Sequence, residues 1–167
     1  TGFLVAAVRL SGHAAKTRIG VHLRPDPRRR RRCGCCQLPA PIHDTQPERT
    51  WSFVPLWNLA VDFHYAPRRV TCPTTGKATV EHMPWNVGKH RHTRAHMIFL
   101  ARWAQLLSWK KTAALFATSW DTVHRCVRWV VEWGLAHRDL SGVTALGVDE
   151  LHHRRGKTSA NYDTAIY

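Results

Sequence analysis

The chain reads as an α+β, multi-domain protein: a small zinc-ribbon-like β unit, a three-helix helix-turn-helix, then the first strands of a further, truncated domain. Three observations predict this. Two knuckle-like segments, Cys33-Gly34-Cys35-Cys36 and Cys72-Pro73-Thr74-Thr75, flank strand-like alternation in the first half. Helical periodicity takes over at Thr93 and continues to Trp133. A short apolar run at residues 143–148 then ends in Asp149-Glu150.

Composition narrows the partners. The 167 residues carry a formal charge of +14, with a pI near 10.6. Such an excess repels itself in a compact state and is offset by a polyanion, nucleic acid first and an anionic membrane surface second. The apolar share, 44%, is that of a globular chain. No apolar run of about 18 residues or more exists, so no membrane span is expected. The five cysteines are odd in number and crowded at Cys33, Cys35 and Cys36. That argues against a secreted disulfide scaffold and for a reducing cytoplasm with metal binding. A first residue of Thr1, not Met, is expected of a processed chain or a fragment.

Residues 1–32 form a basic N-terminal segment, irregular apart from one short strand at 18–23. Pro25 and Pro27 break regular structure before the run from Arg28 to Arg32. Guanidinium groups there, Arg30 and Arg31 among them, suit DNA phosphates; a solvated charged loop is the plainer reading.

Residues 33–76 form the zinc-ribbon-like unit, with strands at 51–54 and 59–65 and a turn between them. Tetrahedral Zn²⁺ needs four ligands on two rigid loops. Cys33, Cys36 and Cys72 are in register, but Thr75 stands where the fourth cysteine belongs. Cys35, His43, His82 or water are the alternatives for that place, a threonine hydroxyl is a poor ligand, and a ribbon without metal is the other reading. Residues 77–92 are a linker with Pro84 and Gly88. The histidines from His82 to His96 are too irregularly spaced for a second metal site.

Residues 93–134 form the helix-turn-helix. In the first helix Phe99, Leu100, Trp103, Leu106 and Leu107 share a face. Ser108 caps a short helix over 109–116, where Ala113 and Ala114 permit close contact. Ala117-Thr118-Ser119 is the joint. In the third helix Trp120, Val123, Val127, Val130 and Val131 form the apolar stripe. Thr122, His124, Arg125 and Arg128 project opposite, short polar groups towards base edges and arginines towards phosphates. Lys110 and Lys111 add backbone contacts from the second helix. The five tryptophans at 103, 109, 120, 129 and 133 are expected to staple the core, and Cys126 to be a small buried residue. An ordinary three-helix bundle with charged outer faces is the alternative.

Beyond a polar crossing at 135–142, residues 143–148 suit a buried strand with Asp149 at its end. A polar turn at 152–160 and a second strand at 161–167 follow. An RNase H-like nuclease sheet begins this way, and there Asp149 would hold Mg²⁺ for phosphoryl transfer. An ordinary strand reaching solvent reads the same.

Together these segments resemble the bacterial insertion-sequence transposases of the ISL-three family. The matching residues are the Cys33/Cys36 knuckle, Tyr65-Ala-Pro-Arg-Arg-Val-Thr-Cys72-Pro and Leu107-Ser-Trp-Lys-Lys. They continue through Thr118-Ser-Trp-Asp-Thr-Val123, Val131-Glu-Trp-Gly134 and Gly147-Val-Asp-Glu150. The similarity spans residues 18–167. It implies a bacterial, cytoplasmic, nucleoid-associated protein that binds double-stranded DNA at the terminal inverted repeats of its element and self-associates. It also implies a DDE catalytic domain of RNase H-like fold using Mg²⁺, with Asp149 as the first catalytic aspartate. The family's second Asp and final Glu fall beyond Tyr167, so a truncated chain inactive by itself is expected. A non-catalytic DNA-binding repressor or competitor is the second reading. An RNA-binding ribbon protein is a third, without the aromatic-glycine signatures of the common RNA modules.

Overall fold

The computed structural model describes residues 2–12, 17–139, 141–142, 144, 147–152 and 162–166. It is α+β, with compact units at Thr1–Val131 and Glu132–Tyr167.

The first unit opens with a hairpin, β1 (Phe3–Ser11) and β2 (Arg18–Pro25). The N-terminal segment is therefore not irregular. The bulge between Val5 and Ala7 breaks the period-two pattern that would have marked β1. A four-residue strand, β3 (Ile42–Thr45), precedes a second hairpin of β4 (Arg49–Leu56) and β5 (Leu59–Tyr65). Its two-residue turn, Trp57-Asn58, has φ of 48° and 63°, the left-handed pair of a type I′ turn that matches strand twist. β2 pairs with β5 in parallel, joining the hairpins into one sheet in the order β1-β2-β5-β4.

A smaller antiparallel sheet contains β3, β6 (Arg68–Thr71) and β7 (Ala78–Val80), with β6 central. β7 lies in the segment expected to be a linker. That segment is built into the fold: Met83 is buried with Trp51 and Tyr65, and Trp85 packs beside them. The Trp51 indole N–H donates to Asn86 Oδ1 at 2.9 Å. A three-residue strand flanked by threonines and glycine carries too little periodicity to be seen locally.

Three helices follow: α1 (Arg94–Leu106), α2 (Trp109–Leu115) and α3 (Trp120–Ala136). Each starts on a hydroxyl. Thr93 Oγ1 accepts from His96 N, Ser108 Oγ from Lys111 N and Ser119 Oγ from Thr122 N. The Thr93 N–H also donates to the Ser52 carbonyl of β4 at 2.9 Å, so the helical part is tied to the sheet at its first cap. Met97, Leu100 and Cys126 form the helical core, with Val87, Phe99, Phe116 and Trp129 against it.

The buried faces differ from the expected stripes. In α1 they are His96, Met97, Leu100 and Ala101, whereas Leu106 is 79% exposed. In α3 they are Thr122, Val123 and Cys126, whereas Trp120 and Val131 are exposed. Trp103, Trp109 and Trp133 also reach solvent, so four of the five tryptophans are not core staples. Small residues pack closest where helices cross, which leaves the large rings at the rim. Cys126 is buried as expected.

In the second unit β8 (Val148–His152) pairs antiparallel with β9 (Tyr162–Ile166). Asp149 is the second residue of β8, opposite Ala165, and not the end of a strand over 143–148. Residues 143, 145 and 146 of that run, and the expected turn at 153–160, lie outside the described residues.

Candidate metal centre and nucleic-acid interface

Two turns of matching geometry build the metal centre. Gln37 N donates to Cys33 O at 3.0 Å, and Gly76 N to Cys72 O at 2.8 Å. Cys33 N then donates to Leu38 O at 2.8 Å, and Cys72 N to Lys77 O at 2.9 Å. The residue after each knuckle is left-handed, Gln37 at φ 62° and Gly76 at φ 67°. Position by position, Cys33 matches Cys72 and Cys36 matches Thr75.

The sulfurs of Cys33, Cys36 and Cys72 lie within 4.8 Å of one another and can hold a metal ion. Among the described residues they are the close group of three ligating side chains. Cys35 is exposed and stands outside this group, His43 pairs with Asp44, and the His82 ring sits 3.2 Å from the Gln37 amide. The knuckles are clamped together by the sheet. Gly34 N donates to Val80 O at 3.1 Å, and a Cβ at position 34 would sit 2.5 Å from that oxygen, so only glycine fits.

Cys33 and Cys72 are held below the ordinary thiol range. The Thr75 hydroxyl, followed by the Thr75 and Thr74 N–H groups, brings Cys72 down to about 6. Burial pushes Cys33 up, but the Thr79 hydroxyl, 3.1 Å away, and the N–H groups of Cys36 and Cys35 outweigh it and leave it lowered. Cys35 moves the other way, raised above all by the charge of Cys72. Thiolate is the form that binds metal, so Cys33 and Cys72 suit a donor set and Cys35 does not; Cys36 joins them by position.

Sequence reasoning missed the support beneath this centre. Glu81 is buried and bridges to Cys33 across the strands. Its carboxylate accepts from the Tyr65 hydroxyl at 2.5 Å, from Arg68 N at 3.0 Å and from the Arg68 guanidinium in a two-pronged pair. A lone Glu between short strands gives no local signal of burial.

The helical part leaves most of the expected polar residues exposed. Thr118 N donates to Ala113 O at 2.9 Å across the joint, and Ala117 takes the left-handed φ of 48° that a sharp turn requires. Val123, Thr112 and Ala113 are buried. Ala114, expected with Ala113 to permit close contact, is exposed.

On the outer side of α3, Arg125 and Arg128 are exposed. Arg125 is paired with Asp121 at 2.9 Å. His124 lies near two indoles, its ring centroid 5.0 Å from Trp109 and 6.3 Å from Trp120. Lys110 and Lys111 are exposed on α2. Thr122 does not join them: it is 8% exposed, and its hydroxyl accepts from Ser119 Oγ at 2.9 Å. It belongs to the helix start.

Arg30 is exposed and Arg31 half-buried, lining a cavity of about 420 Å³ with Arg68 and His82. Asp149 lies in the second unit and is described there only by its register in β8. No helix among the described residues is long and apolar enough to cross a membrane. No protein-family model, curated protein or solved structure matches this chain.

Proposed function

We propose that this chain is the DNA-targeting part of an insertion-sequence transposase, binding double-stranded DNA through α3. The observation that carries the reading is the capped α2–turn–α3 pair, with Arg125 and Arg128 on the exposed side of α3 and Lys110 and Lys111 on α2. The charge of +14 supports it, since counterion release from DNA draws on such an excess. The inverted-repeat target, the role of Asp149 in a Mg²⁺ site and self-association rest on the family resemblance. A non-catalytic DNA-binding protein uses the same helices.

Arg125→Ala and Arg128→Ala are each expected to weaken binding to repeat-end and scrambled DNA alike, and to flatten the salt slope by about one, as loss of a phosphate contact does. Fluorescence anisotropy across a salt series measures both. Equal affinity of both variants and the parent for repeat-end DNA would remove α3 from the interface.

The metal is Zn²⁺ in this reading: three thiolates suit a borderline-soft ion, and the two knuckles suit its tetrahedron. Thr75 occupies the matching fourth position, leaving that ligand a hydroxyl or water. Thr75→Cys is therefore expected to tighten Zn²⁺ on the order of 100-fold by completing four thiolates. Competition with a chromophoric chelator reads the change. An unchanged affinity would mean that position 75 does not face the ion.

A further inference from the structure

Beside the third helix lies a cleft that the proposed function uses only through Arg125. It is a cavity of about 280 Å³ lined by Lys89, His90, Arg91 and His92 on one side and by Thr122 and Arg125 on the other. The loop is held in place. Ser52 N donates to Arg91 O at 2.9 Å, His92 bridges to Ser52 as an extra strand position, and Thr93 begins α1 immediately afterwards. The basic side chains thus project from a fixed backbone and not from a free loop.

The charges on the loop side do not cancel. Among the described residues no acidic side chain pairs with Lys89 or Arg91. Asp121 pairs with Arg125, and Asp62, whose charge acts on His92 and His96, pairs with Arg18 at 2.6 Å. His92 is held below its usual range by burial first and then by the charges of His90 and Arg125. The positive charges of His90 and Arg125 that add to this shift belong to a basic cleft, and such a field attracts an anion.

We propose that this cleft binds a backbone phosphodiester of the same duplex that α3 contacts, gripped between Lys89 and Arg91 of the loop and Arg125 of the helix. This rests on the DNA-binding reading. It adds a second point of attachment, from the strand-anchored loop, that fixes how α3 lies on the duplex. Phosphate contacts of this kind set register without reading sequence.

The test is a Lys89→Ala/Arg91→Ala double variant. Both side chains are exposed, and the Arg91 carbonyl that bonds Ser52 is retained, so the fold is kept; circular dichroism and metal content confirm it. With a fluorescein-labelled mixed-sequence duplex, affinity should fall about tenfold. The slope of log K against log salt should flatten by about two. In duplexes carrying a single neutral methylphosphonate, one position should weaken the parent chain but not the double variant.

Inorganic phosphate is titrated in parallel. If it binds at this cleft while the double variant retains the parent's duplex affinity and salt slope, the site takes free phosphate and the proposal is overturned. Parent-like behaviour of the double variant without phosphate binding overturns it equally. In both cases a loss in Arg128→Ala leaves the α3 reading standing. If the parent itself binds no duplex, both readings fall.

Discussion

Replacing Glu81 by alanine is expected to lower the stability of the β module by about 3–5 kcal/mol, the cost of breaking a buried ion pair from one side. The carboxylate is 1% exposed and is the shared acceptor for the Tyr65 hydroxyl, the Arg68 amide and the Arg68 guanidinium. Without it, a phenol and a guanidinium stay inside without an acceptor. Burial and then the Glu81 hydrogen bond already push the Tyr65 phenol well above its ordinary range. Glu81→Gln keeps one oxygen and should lose less. Urea unfolding of the metal-loaded chain measures both. A midpoint for Glu81→Ala within about 0.5 kcal/mol of the parent would show that this cluster does not hold the strands together.

Cys72→Ala should weaken metal binding on the order of 100-fold, since one of three thiolates is lost from a site whose total free energy is shared among few ligands. Cys35→Ala should leave affinity unchanged, because Cys35 is exposed and outside the sulfur group. The contrast matters because both cysteines lie near the same centre and the sequence offers either as a ligand. Chelator competition on the two variants separates them. The reverse order of losses would place Cys35 in the centre and Cys72 outside it.

Local chemistry was legible in the sequence, and long-range packing was not. Ser108 could be read as a helix cap, and Ala117-Thr118-Ser119 as the joint before α3, because a cap bonds an amide three residues away. Cys33, Cys36 and Cys72 could be grouped because knuckle spacing is itself a local signature. The α+β class followed from these. Which face of α1 or α3 is buried depends on crossings made far along the chain, so Leu106 and Trp120 were assigned inward and lie outward. β1 was hidden by its bulge, and β7 by its length. Glu81 and the loop at 89–92 acquire meaning only from Arg68, Ser52 and Arg125, none of them near neighbours in sequence.

The parallel seam between β2 and β5 orders events in time. The hairpins β1–β2 and β4–β5 each close locally, on the order of microseconds. The seam must wait until the crossover from Asp26 to Asn58 has been gathered, at an entropy cost met before any ladder bond rewards it. That crossover carries the first cysteine knuckle, and the second follows β6, beyond the seam. An ion bridging Cys33 and Cys72 shortens the span the chain must search. Metal uptake would then act as a kinetic step in folding. A newly made chain deprived of metal should dwell as two separate hairpins, with their strand edges open to other chains.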